Sequence, residues 1–193
     1  ICKSLAAEKK LKIGEAGIVD ERVGSAGYKN SNEKMIKDTG LLSFFKENKI
    51  PFHSMLGLYP NDIDSSFARL LSDFPKKIAI MGIGEDGHIA GLPANIKNQK
   101  SKIKTSSFAK ASEDKQKYVV RVNNFPGEFK KRITLTFNAL SKMDLLIILV
   151  FGSAKKKALD LMFTPGSENE IPARFYTKQR IARKTILITD QKV

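Results

Sequence analysis

One cysteine, two histidines and no tryptophan occur in 193 residues. A lone Cys2 excludes an internal disulfide and any cysteine-based metal cluster. No charged-then-apolar leader opens the chain, so a reducing cytoplasm is the expected compartment. Long apolar runs are also missing. The longest, Leu145 to Phe151, falls far short of the roughly 20 residues a membrane-spanning helix needs, so no membrane partner is expected. No histidine or acid stands at a zinc-type spacing, and neither a metal nor a cofactor is expected. Acidic side chains are scarce against basic ones, 20 against 34, which leaves a formal charge of +14. Such a balance favours anionic ligands, phosphate first among them. Most such lysines solubilise, and nucleic acid is not the expected partner despite the charge.

What is present has the rhythm of an α/β protein. Apolar strands alternate with helical patterns, which predicts βα units and a doubly wound, mainly parallel sheet with helices on both faces. Strands are expected at Ala16–Val19, Phe52–Leu56, Ile78–Met81, Tyr118–Val122, Ile133–Thr136, Leu145–Phe151 and Thr185–Thr189. A helix broken at Gly40 covers Asn32–Phe45. A second spans Asn61–Phe74 with Asn61 as its N-cap and Phe67, Leu70, Leu71 and Phe74 on its buried side. A third runs from Ala154 to Phe163. No repeat and no long linker divides the chain, so residues 1–193 read as one domain. Residues 95–117 are rich in lysine and poor in apolar side chains, and read as a solvated loop insertion. The oligomeric state leaves no mark on the sequence.

The most specific stretch is Ile78 to Ala90, IAIMGIGEDGHIA. Its first four residues read as a strand buried on both faces of a parallel sheet. Gly82, Gly84 and Gly87 then permit turns that other residues resist. Asp86 and His88 leave the carboxyl end of that strand, where ligands of open α/β sheets sit. An imidazole is the side chain best suited to proton transfer near neutrality. The plainer alternative is a capped turn feeding a helix at Ile89, and the pattern alone does not separate the two. His53 stands in a short strand with no partner at a telling spacing and reads as structural. Cys2 has no histidine near it in sequence to make it a nucleophile.

The wording of that loop resembles the signature shared by 6-phosphogluconolactonases and glucosamine-6-phosphate deaminases, two branches of one superfamily acting on six-carbon sugar phosphates. Other segments follow in the family's order: Asp20-Glu21-Arg22 with Ser31-Asn32, Arg132-Ile133-Thr134-Leu135-Thr136, Gly152-Ser153-Ala154-Lys155, Ile171-Pro172-Ala173 and the closing Ile186 to Asp190. The resemblance runs from about Gly17 to the end of the chain. It implies a sugar-phosphate substrate and, in the lactonase branch, hydrolysis of 6-phosphogluconolactone in the oxidative pentose phosphate pathway. His88 would then be the general base that activates water, with Asp86 or Glu85 orienting it. Arg22 and Arg132 would recognise phosphate and sugar, Lys155 would add a cation at a helix start, and Gly84 and Gly87 would contribute backbone to the pocket. Asp20 would bind sugar hydroxyls or orient Arg22.

The chain also departs from the pattern. After Ala90 the lactonases usually continue S-L-F-P and the deaminases F-N-E-P, whereas this chain has Gly91-Leu92-Pro93. The glutamate of the deaminase histidine relay is therefore absent, which favours the lactonase branch and keeps the deaminase as the alternative. Relatives also open with a strand and a glycine/serine-rich loop of the SGGSTP kind that holds the substrate phosphate. The present sequence shows no such loop, so an N-terminal strand and phosphate loop are expected to be missing. That expectation keeps a third reading open, a noncatalytic binder of sugar phosphates or polyanions.

Overall fold

The computed structural model describes residues 2–8, 12–25, 27–57, 60–94 and 117–193. All of the lysine-rich segment except Lys117 lies outside the described residues. The chain starts with helix α1 (Cys2–Ala7) and a two-residue strand β1 (Ala16–Gly17). Strand β2 (Asp20–Arg22) follows directly, then helices α2 (Asn32–Asp38) and α3 (Leu41–Glu47). Ser31 caps α2 by accepting from the Lys34 N–H, and Gly40 separates the two helices with φ +84°, a left-handed conformation that favours glycine. The helix broken at Gly40 is thus found where the sequence placed it.

Strand β3 (Phe52–His53) leads to helix α4 (Pro60–Asp73). Asn61, read as the cap, lies inside that helix, because Pro60 takes the first turn, where its missing N–H costs nothing. Ile63 and Phe67 are buried on its inner side. Strand β4 (Ile78–Met81) comes next, followed beyond the undescribed segment by β5 (Val119–Val122), β6 (Arg132–Leu135), helix α5 (Phe137–Ser141) and β7 (Leu145–Val150). A 3₁₀ turn at Ser153–Lys155 opens helix α6 (Lys156–Phe163), and a second 3₁₀ segment (Pro172–Thr177), helix α7 (Gln179–Ala182) and strand β8 (Thr185–Thr189) complete the chain.

Among the described residues the strands form three sheets. Two are parallel, β1 with β3 and β4–β7–β8, the latter in register Ile78↔Leu145 and Leu146↔Thr185. The third, β2–β6–β5, is antiparallel and was not anticipated, because short strands carrying charged residues give no periodicity that reveals their partners. The main core runs from Ile18, Met55 and Phe67 through Ala79, Met81, Leu146 and Ile148 to Leu159, Phe175 and Ile181, and a second cluster of Leu41, Phe45 and Ile50 packs α3 against α1.

Strand β4 corrects one expectation. Its burial alternates, with Ala79 and Met81 in the core but Ile78 61% and Ile80 39% exposed. Ile186 and Ile188 of β8 are likewise 50% and 45% exposed. Among the described residues, β4 pairs on one edge only, with β7, and β1 only with β3. An apolar run therefore identified a parallel strand correctly but not the number of faces that the described residues cover.

Candidate active site

The loop after β4 closes on itself. The Gly84 N–H donates to the His88 carbonyl (2.8 Å) and the Gly87 N–H to the Gly84 carbonyl (2.9 Å), so the segment is a tight turn and no helix begins at Ile89. Gly87 has φ +86°, and a Cβ there would stand 2.7 Å from Ile171 Cγ2. Gly84 faces the His88 ring so closely that an added Cβ would overlap Cε1 and Nδ1. The amides of both glycines are engaged within the turn. What the two residues give the pocket is room and backbone shape. Ile171-Pro172-Ala173 buttresses the turn from behind: Ala173 N–H donates to the Gly87 carbonyl (2.9 Å), and Ile171 packs on Gly87.

Asp86 is the acid that reaches the imidazole. Its Oδ1 lies 2.6 Å from His88 Nδ1 and also accepts the His88 backbone N–H at 3.1 Å, while Glu85 borders the same cavity but is exposed. Burial works to raise the Asp86 carboxyl, but these hydrogen bonds from His88 outweigh it and hold the group below its ordinary value. An ionised carboxylate accepts only, so in the neutral imidazole the proton stands at Nδ1 and the lone pair at Nε2. His88 is 31% exposed, open to water and substrate.

The second half of the site comes from the antiparallel sheet. Arg22 of β2 and Arg132 of β6 stand directly opposite each other in the strand register. Asp20 pairs with Arg132 (Nη1–Oδ2 3.2 Å) rather than with Arg22, so of the two roles expected for it the orienting of Arg22 is not found. The reason is strand alternation, since Asp20 and Arg22 share one face and the longer reach runs across to β6. Burial pushes the Asp20 carboxyl above its ordinary range, and the Arg132 guanidinium offsets this only in part. Arg22 Nη1 donates to the Asn30 carbonyl at 2.6 Å. Lys155 reaches back from the start of α6 to donate to the Ile83 carbonyl at 3.0 Å.

These residues line one cavity of about 900 Å³, into which Asp20, Arg22, Asp86, His88, Arg132 and Lys155 all open. The tertiary structure therefore brings together every charged residue singled out in the sequence, from positions 135 apart. Cys2 also borders the cavity and is a free thiol. Among the described residues, no three histidine, cysteine, aspartate or glutamate side chains converge as a metal-binding group. His53 lies elsewhere, with Nδ1 2.7 Å from Ser66 Oγ and Nε2 2.6 Å from Glu15 Oε2, and it ties β3 to α4. It is structural, as expected, although its acidic partner was invisible in a sequence where the two stand 38 positions apart.

Three residues of the site went unread. Glu21 is fully buried, and its carboxylate accepts the backbone N–H groups of Arg22 (2.6 Å), Asn32 (2.7 Å) and Glu33 (2.8 Å). It pegs the start of α2 against β2, and Asn32 Nδ2 adds a bond to the Asp20 carbonyl at 2.8 Å. A signal did exist: alternation along β2 turns Glu21 away from Asp20 and Arg22, into the protein. Phe125 and Phe129 were missed because nothing local distinguishes them from core phenylalanines. Phe125 meets the His88 ring edge-on at 5.1 Å and lies under Arg132, while Phe129 lies under Arg22.

The chain is similar to known proteins in sequence and in fold. A 6-phosphogluconolactonase of Helicobacter pylori is 28% identical over 162 residues, which are 80% of this chain and 63% of that protein. A glucosamine-6-phosphate deaminase of Lacticaseibacillus paracasei is 22% identical over 161 residues, 80% of this chain and 64% of that one. The chain thus spans a little under two thirds of the length of these relatives. Among solved structures, the 6-phosphogluconolactonase from Plasmodium vivax superposes with a TM-score of 0.72 at 21% identity, covering 100% of this chain and 75% of that one, a likeness of fold. The sequence model of the glucosamine-6-phosphate isomerases/6-phosphogluconolactonase family matches residues 3–187. That match covers nearly the whole chain, and the chain belongs to the glucosamine-6-phosphate isomerase/6-phosphogluconolactonase family.

Proposed function

We propose that this chain carries the catalytic site of a 6-phosphogluconolactonase. The observation that carries the reading is the Asp86–His88 pair at 2.6 Å, open to a cavity whose far wall holds two arginines. Asp86 fixes the ring proton at Nδ1, so Nε2 accepts a proton from a water molecule attacking the lactone carbonyl carbon. The tetrahedral intermediate collapses by breaking the bond to the ring oxygen. That oxygen takes the proton from Nε2 to become a hydroxyl, and the carboxylic acid left behind releases its remaining proton to solvent as it becomes a carboxylate. Lys155, with N–H donors beyond the one given to Ile83, supplies positive charge near the developing oxyanion. The phosphate is held away from the reacting carbon by Arg22 and Arg132.

Freshly generated 6-phosphogluconolactone and glucosamine 6-phosphate, offered separately, test the reading. Turnover of the lactone above its spontaneous hydrolysis supports it. Turnover of the amino sugar alone would assign the deaminase branch, and salt-sensitive polyanion binding without turnover of either would assign a noncatalytic binder.

The arginines carry a distinct expectation. A phosphate has the same charge in the ground and transition states, so Arg22→Ala and Arg132→Ala are expected to raise KM by about 10–100-fold while kcat changes much less. Steady-state kinetics on the two variants decide. A large fall in kcat at unchanged KM would instead place these side chains at the reacting carbon.

We also propose that a further strand fits between β1 and β4, whose edges carry no second partner among the described residues, and that the phosphate end of the cavity is completed there. The exposed Ile78 and Ile80 support this reading. A chain extended upstream by about 30–50 residues, enough for a strand, a tight loop and a helix, is then expected to be more soluble and to bind sugar phosphate more tightly than the 193 residues alone. Light scattering and lactonase assays on both forms would settle it. Full activity in a monodisperse short form would overturn the proposal.

A further inference from the structure

Arg22 and Arg132 present a physical problem that the reading above leaves unsolved. They are direct cross-strand partners on β2 and β6, and like charges in that position repel. Asp20 forms its ion pair with Arg132, at 3.2 Å, and acts on Arg22 only from farther off. Among the described residues Arg22 has no ion pair: its Nη1 bonds a neutral carbonyl, and its Nε is buried without a hydrogen-bond partner.

Both guanidinium groups nevertheless rest on a surface, and in each case it is a phenyl ring. Arg22 Cζ lies 4.2 Å from the centroid of Phe129, and Arg132 Cζ lies 4.6 Å from that of Phe125. The two rings come from the single segment that joins β5 to β6. That segment is fixed by main-chain bonds, Phe125 N–H to the Lys130 carbonyl (2.8 Å) and Val23 N–H to the Lys131 carbonyl (3.0 Å), while Arg132 Nε reaches the Phe129 carbonyl (3.3 Å). A ring face attracts a cation through its quadrupole but accepts none of its in-plane N–H donors. A carboxylate in the same place would attract more strongly and would compete with an incoming anion for the donors.

We propose that Phe129 and Phe125 are positioning residues, aromatic platforms that hold the two opposed arginines apart and leave their N–H donors directed at an anionic substrate. The inference rests on the lactonase reading for the identity of that anion. Phe125 has a second contact, its edge-on packing against His88, so one ring sets the spacing between the base and the nearer guanidinium.

The aromatic face, rather than apolar volume, is what the test must isolate. Phe129→Leu keeps the residue apolar but removes the face, and Phe129→Tyr keeps the face. Binding of 6-phosphogluconate is followed by calorimetry, with the unfolding temperature of each variant measured alongside. Phe129→Leu is expected to weaken binding about 3–10-fold, a range set by the strength of partly desolvated cation–π contacts. Phe129→Tyr is expected to restore it to within about twofold. Phe125→Leu is expected to weaken binding to a similar degree. If Phe129→Leu does not fold, Phe129→Met takes its place with the same expectation. Binding by the Leu or Met variant as tight as wild type, or equal losses for Leu and Tyr, would overturn the platform role while leaving the lactonase reading intact. Absence of 6-phosphogluconate binding by the wild-type chain in both its 193-residue and its upstream-extended form would overturn that reading, and this inference with it.

Discussion

Replacing His88 by alanine is expected to lower lactone turnover by about 10²–10⁴-fold, the usual contribution of a positioned general base. His88→Asn makes the sharper test. Its amide still has N–H donors for the Asp86 carboxylate but offers no basic nitrogen to water, so it should be as inactive as the alanine variant. Neither change opens a large hole in the core, because the ring is 31% exposed and its main packing contact is the edge-on Phe125. Stability should therefore change by no more than about 1 kcal/mol. Spontaneous opening of the lactone sets a background, and the measurement is the enzymatic rate after that background is subtracted. A folded His88→Ala chain with wild-type turnover would remove the base from the mechanism.

Gly84→Ala is expected to inactivate nearly as severely, without touching a catalytic atom. The new Cβ would overlap Cε1 and Nδ1 of His88, so the ring must swing away from Asp86 Oδ1. The turn cannot yield instead, because Gly84 is held on both sides by the bonds to His88 and Gly87. A displacement of about 1 Å at a reacting group can cost about 10²-fold in rate, and a fall in kcat of that order is expected. KM should hardly move, since the arginines stand on β2 and β6 and do not ride on this turn. Gly82→Ala supplies the contrast, because its Cβ would meet only the Leu149 carbonyl at 3.6 Å, an ordinary contact. If Gly84→Ala kept full kcat, the close fit of the ring over the glycine would have no catalytic meaning.

The parts of this site that could be read in advance were those written in contiguous residues. Glycine punctuation after an apolar run marked the turn, and a histidine two positions beyond an aspartate marked the pair, because that spacing lets one carboxylate oxygen meet both the ring and the backbone N–H of His88. Strand β8 was legible to the residue, since an apolar run between charged turns has only one way to form a parallel strand. Strand β1 was not. Its predicted length from Ala16 to Val19 shrank to two residues because β2 starts at Asp20 and turns the chain toward β6, a partner more than a hundred positions away.

The sequence alone determined the chemistry available here: an imidazole with an aspartate beside it, arginines in two separated motifs, an excess of positive charge, and strand and helix patterns that admit only an α/β fold. Tertiary structure decided which of these groups meet. It paired Asp20 with Arg132 rather than Arg22, left Glu85 exposed, buried Glu21 as a peg for three backbone amides and set a phenyl ring beneath each guanidinium. The reason is physical. Cross-strand register and the choice of face are fixed by the cooperative packing of residues far apart in the chain, and no local window contains the partner against which a side chain will be placed.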